Sequence, residues 1–126
     1  MKARSAKNKG KRLQNLLRDK LLDSMLGELE EDDIKSAIMG DSGEDIKLSP
    51  AARKLIKYSF ECKNQERLHI WKALQQAEEN SNERNPVLVF TRNRHKTYAC
   101  IELDEFIKLM SISITTTKGI FRDETT

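Results

Sequence analysis

The chain has 126 residues, of which 37% are hydrophobic and 34% charged, with a net charge of +3; that is enough for one domain around one core and too little for two. No apolar run approaches the roughly 18 residues that span a bilayer, and the opening "MKARSAKNKGKR" lacks the apolar segment of a signal peptide, so an intracellular protein with no membrane partner is expected. The two cysteines, Cys62 and Cys100, each lie inside an apolar block, which suits packed thiols and falls short of the four ligands of a structural zinc site. The charge is unevenly divided: residues 1–20 carry eight Lys or Arg against Asp19, and residues 21–45 carry nine acids against Lys35. A basic arm beside an acidic stretch fits a protein that binds a polyanion and also holds a cation, as well as a solvated tail beside a solvated loop.

Leu13, Leu16, Leu17, Leu21 and Met25 or Leu26 recur at helical spacing, predicting an amphipathic helix over about 8–26 with a basic outer face and Gly27 as its stop. Two short strands follow, around Ile34–Met39 and Glu44–Leu48, joined by the turn-forming "GDSG". Ser49-Pro50 reads as an N-cap with proline at the first helical position, opening a short helix through "AARKLI". In "YSFECK" alternation sends Tyr58, Phe60 and Cys62 to a core face and Ser59, Glu61 and Lys63 to the other. Residues 64–80 are predicted helical along Leu68, Trp71, Leu74 and Ala77 or Glu78, with Trp71 in the core. "VLVFTRN" has the near-continuous apolarity of a central strand, "RNRHK" forms a basic turn, and "TYACIEL" forms a last strand. Asp104 is placed to cap a final helix, "EFIKLM". This order predicts an α/β domain, a mixed central sheet flanked by helices, over 1–112, followed by a C-terminal tail over 113–126.

Asp45 alternates away from Ile46 and Leu48, and Glu61 and Lys63 project together from the next core strand. If those strands are neighbours, two carboxylates and an ammonium converge. Mg²⁺ is held in this way, by one or two carboxylates with waters and substrate phosphate oxygens completing the shell. Such a cation acidifies water into a nucleophile and neutralises charge on a phosphoryl group, while Lys63 orients the water or stabilises the developing anion. The main-chain carbonyl of Cys62 offers a further oxygen. Taken alone, E-x-K also describes an ordinary ion pair on a solvated strand face.

"GEDI" followed by "FECKNQE" resembles the metal site of the PD-(D/E)XK nuclease superfamily, and within it the small Holliday junction resolvases and phage-encoded resolvase-like endonucleases. The resemblance covers about residues 7–110 and implies a restriction-endonuclease-like core with Asp45 and Glu61 as metal ligands and Lys63 as the catalytic lysine. It further implies Mg²⁺ as cofactor, with Mn²⁺ substituting, and hydrolysis of DNA that leaves a 5′ phosphate. The segment "KNKGKRLQNLLRDKLL" is similar to the first helix of archaeal resolvases, with Gln14 standing where that helix carries a glutamate. Glu44 replaces the proline of the motif and is not assigned to the metal. Gln65, Gln75 and Gln76 fall where several branches of the superfamily carry a glutamine near the site, and each also reads as a helix-surface amide. The resemblance implies branched DNA as partner, a homodimer supplying two related sites, and the cytoplasm of a bacterial host if the chain is phage-encoded.

DNA affinity is expected from phosphate neutralisation by Lys7, Lys9, Lys11 and Arg12 on the arm, and by Arg92, Arg94 and Lys96, with His95, at the turn. The same fold and arm also describe nucleases of duplex, flap or single-stranded DNA, and a DNA-binding accessory protein without catalysis. The last of these predicts no metal dependence.

Overall fold

A computed structural model describes residues 3–25, 27–38 and 43–125, with side chains described as far as residue 117. The chain is mixed α/β. Its first helix, α1 (Ala3–Ser24), begins earlier than the apolar spacing suggests. Leu13, Leu17, Leu21 and Leu22 turn inward, while Leu16 stays exposed. Two of its basic residues are committed to the protein's own backbone: Lys11 Nζ donates to Ala37 O at 3.1 Å and Arg18 Nε to Ile34 O at 2.9 Å. Gly27 follows at φ +83°, in the left-handed region where a residue without Cβ is unstrained.

The strands β1 (Ile34–Ser36) and β2 (Ile46–Leu48) pair antiparallel, Ile34 facing Leu48 and Ser36 facing Ile46. Both are shorter than expected. Ala37 and Ile38, expected in the first strand, are described and lie beyond its end, while Met39 and most of "GDSG" lie outside the described residues. Ser49 caps α2 (Pro50–Leu55) as predicted, its hydroxyl accepting from the Ala52 N–H at 3.1 Å and donating to Asp33 Oδ1 at 2.7 Å. The latter bond holds the Asp33 carboxyl below the usual carboxylate range.

The strands β3 (Tyr58–Asn64), β4 (Asn85–Thr91) and β5 (Tyr98–Cys100) form a mixed sheet in the order β3-β4-β5. The β3–β4 pair is parallel, setting Glu61 beside Leu88, and β4–β5 is antiparallel. Parallel strands are covered on both faces, and so is this pair. On one side Phe60, Cys62, Val87 and Val89 pack with Leu13 of α1. On the other lies α3 (Ile70–Glu79), which packs on β3 and β4 and buries only Ala73 and Ala77. The expectation that Ser59, Glu61 and Lys63 occupy a face outside the core is therefore corrected. Ser59 and Glu61 are buried beneath α3, and Glu61 is only 3% exposed.

Trp71 is a second correction. It is 78% exposed, because the buried stripe of α3 runs through the alanines one turn apart and not through the large side chains. The final helix, α4 (Leu103–Thr125), continues through the segment expected to be a tail, and Asp104 lies inside its first turn instead of capping it. Serine and threonine at 111–117 interrupt hydropathy without breaking the helix, and three of their hydroxyls bond back to carbonyls four residues earlier. Both cysteines are free thiols, Cys62 buried and Cys100 half-buried. Among the described residues no helix is long and apolar enough to cross a membrane.

Candidate active site

Asp45 stands at the bend entering β2 and joins the two sheets. Its N–H donates to Phe60 O at 3.0 Å, and its Oδ2 accepts from the Cys62 N–H at 2.7 Å. Backbone and side chain together fix this carboxylate against the middle of β3, where alternation presents Glu61. Lys63 Nζ lies 3.8 Å from Glu61 Oε2, and Asn80 Nδ2, at the end of α3, donates to Glu61 Oε1 at 3.2 Å. The three residues singled out by spacing thus meet. Asn80 is a fourth member, nineteen positions from Glu61 and marked by no sequence pattern.

The electrostatics are strained in an informative way. Burial, then the negative charge of Asp45, pushes Glu61 up from 4.5 to about 7, while Asn80 and Lys63 pull against them. Desolvation disfavours the ionised form, and a like charge nearby disfavours it further. Burial also raises the Cys62 thiol far above its ordinary range, which leaves it unreactive and suits its place in the apolar cluster.

Glu44, the acid next to Asp45, serves a different purpose. It is buried, accepts from Ser59 Oγ at 2.9 Å, and forms ion pairs with Arg84 and, at 3.9 Å, with Arg53. Two consecutive acids therefore point to separate clusters: Glu44 is neutralised by guanidinium groups, whereas Asp45 faces another carboxylate. Among the described residues no group of three or more His, Cys, Asp or Glu side chains is placed to hold a metal ion. The oxygen donors brought together here are the carboxylates of Asp45 and Glu61.

The environment of Lys63 adds residues that spacing alone did not single out. A cleft of about 310 Å³ is lined by Lys63, Gln65, Arg67, His69, Lys72 and Gln76, and is cationic on balance. Gln65 and Gln76 therefore share the cleft with the lysine, whereas Gln75 lies away from it, bonded to Glu79 at 3.3 Å. Gln14 is buried on α1, its Oε1 has no hydrogen-bond partner, and among the described residues no bond joins it to Asp45, Glu61 or Lys63. That buried, unsatisfied acceptor is the kind of atom a bound cation or its water would satisfy.

A second groove, of about 580 Å³, is lined by Lys9, Lys11 and Arg12 of α1 together with Asn93 of the β4–β5 turn, so the arm and the turn share one surface. Of the expected phosphate-contacting residues Arg12 lines this groove and is exposed; Lys7, Arg92, Arg94 and Lys96 are exposed too, but Arg92 and Lys96 line a separate pocket of about 320 Å³ with Gln65, His95 and Tyr98, and Arg94 sits at φ +64°. Lys9 differs from its neighbours, being 5% exposed with an ammonium that has no hydrogen-bond partner among the described residues.

No family model, curated protein or solved structure matches this chain. The residues themselves are what the functional reading rests on.

Proposed function

We propose that the chain is a Mg²⁺-dependent DNA endonuclease of restriction-endonuclease-like fold, acting on branched DNA as a Holliday junction resolvase does. The observation that carries the proposal is the meeting of Asp45, Glu61 and Lys63 at the joint between the two sheets, with Glu61 held partly protonated by burial and by Asp45. A buried carboxylate, Glu61, set against the half-buried carboxylate of Asp45 and offset by Lys63 at 3.8 Å, is costly as a purely structural device. It is well suited to receiving a divalent cation, which removes the repulsion. The order α1, antiparallel pair, α2, β3, α3, parallel β4 and antiparallel β5 is in keeping with the same reading, although the antiparallel pair forms a sheet of its own instead of joining one mixed central sheet.

Asp45 and Glu61 would hold the cation, with Gln14 Oε1 and the Cys62 carbonyl as further oxygen donors. When bound, the cation supplies charge neutralisation at the phosphoryl group and acidifies water. The chain's own groups do the rest. Lys63, anchored at 3.8 Å from Glu61, offers its ammonium to the negative charge that builds on the scissile phosphate. Arg67 and Lys72 line the same cleft and contact flanking phosphates. Asn80 fixes the Glu61 rotamer, which keeps the donor geometry set before substrate arrives. The α1–turn groove with its Arg12, and the exposed Lys7, Arg92, Arg94 and Lys96, bind backbone without reading bases, so that DNA shape is recognised. A homodimer would present two such sites to the two strands of a junction, in the cytoplasm of a bacterial host if the chain is phage-encoded.

The test is a panel of junction, flap, duplex and single-stranded DNA with Mg²⁺, Mn²⁺ or EDTA. Wild type is expected to cut junctions only with metal, and Asp45→Asn and Glu61→Gln are expected to bind junctions while cleaving at least 100-fold more slowly, as loss of a transition-state contact of about 3 kcal/mol requires. Cleavage undiminished in both variants removes the site assignment. Absence of cleavage on every substrate leaves a DNA-binding accessory protein.

A further inference from the structure

We propose that the exposed face of α4 is a self-association seam that pairs with the same helix of a second copy of this chain. Leu103, Ile107, Met110 and Ile114 follow one another at steps of four, three and four, and are 69%, 48%, 44% and 54% exposed. That alternation is the 3.5-residue repeat by which one helix packs along another. Phe106 lies on the seam's flank, at 49% exposure, and no charged residue falls on the seam from Leu103 to Ile114. At about 100° per residue, Glu105 occupies the opposite side of the helix. Its carboxylate accepts from the Tyr58 hydroxyl at 2.7 Å and so ties that side to the body. The seam accordingly points away from the chain's own core, and the helix packs along no other element of the body among the described residues.

The area argues for a second copy. The five side chains leave on the order of 500 Å² of apolar surface in water, at the upper end of what a monomer exposes. Doubled across a two-fold axis, this reaches about 1,000 Å², the threshold of a specific interface. A mainly apolar groove of about 400 Å³, lined by Trp71, Leu74, Pro86 and Ile101 with Gln75 and Glu78, also takes in Glu102, the residue immediately before α4. A two-fold pairing needs one patch that is complementary to itself, and a charge-free heptad stripe meets that condition.

The inference names the surface of the homodimer suggested above, and its test uses neither DNA nor metal, so its failure is distinct from failure of the nuclease reading. Sedimentation velocity on the full chain is expected to show a dimer at about 100 µM that dissociates on dilution. Met110→Glu should give a monomer at the same concentration, while Ile112→Glu, on the side of α4 away from the seam, should leave the dimer intact. Far-UV circular dichroism and thermal unfolding of each variant verify that the body stays folded, and dilution of the wild type is a readout independent of any substitution. A wild-type monomer throughout this range, or a dimer indifferent to Met110→Glu, overturns the proposal.

Discussion

Replacing Glu61 by glutamine measures the cost of keeping the site ready. In the folded chain Glu61 titrates near 7, against 4.5 for an unperturbed carboxyl, chiefly because it is buried and secondly because Asp45 is close. The folded state then retains a proton over a pH range in which the unfolded chain has released it. With the folded value raised, the group costs nothing below about 4.5, destabilises progressively as pH rises toward 7, and exerts its whole cost above that. At about 1.4 kcal/mol per pH unit the displacement corresponds to about 3 kcal/mol, and solvent entering from the Lys63 end lowers it toward 2 kcal/mol. Glutamine keeps the shape and can still accept the Asn80 hydrogen bond, but it does not ionise. Urea unfolding in EDTA, followed by circular dichroism near pH 5.5 and pH 8, should show the variant gaining about 1 to 2 kcal/mol on wild type across that interval, the remainder having been lost between about pH 4.5 and 5.5. Other titrating groups are common to both proteins and cancel in the difference. A difference that stays constant between the two pH values would refute the reasoning.

Mg²⁺ should stabilise wild type more strongly as pH rises through about 7, because the ligands must be deprotonated to bind it, and should leave Glu61→Gln almost unmoved; thermal shift at two pH values checks this. Replacing Lys7 and Arg12 by glutamine should lower the slope of log affinity against log salt by up to about 2, equally on all DNA sequences, as read by fluorescence anisotropy. Glu44→Ala should destabilise the fold by about 3 to 5 kcal/mol by leaving Arg84 buried without its partner, measured by urea unfolding. Leu88→Ala, at a position with no solvent exposure in the central strand, should cost about 2 to 5 kcal/mol in the same assay.

Local chemistry was legible in the sequence wherever one residue type decides the outcome. Ser49-Pro50 dictated the start of α2, and the apolar run around Val87–Val89 indicated a strand covered on both faces. Asp45, Glu61 and Lys63 were legible as a group because alternation fixes which strand residues share a face. What alternation does not show is whether a face is dry. Alternation puts Glu61 on a face outside the core, yet it lies beneath α3, because helix packing is a tertiary event and small residues, Ala73 and Ala77, let that helix approach. Trp71 failed for the same reason: the wider apolar stripe of α3 looked inward, yet the close approach of the alanines turned it out. Asn80, Arg84 and Arg67 reach their places through chain reversals that have no periodic signature. The continuation of α4 past Met110 was hidden by hydroxyl residues that satisfy themselves on the preceding turn.

Asp45 stitches one sheet to the other through its backbone and braces β3 through its side chain. Substitution tolerance at this position therefore mixes two demands. A library selected only for folding should already reject most replacements of Asp45, so intolerance there is no witness to catalysis. Lys63, which lines the cleft and among the described residues pairs with Glu61, carries no such joint. Its replacement separates a screen for activity from a screen for stability, and a deep mutational scan run under both selections would show at Lys63 the divergence that Asp45 conceals.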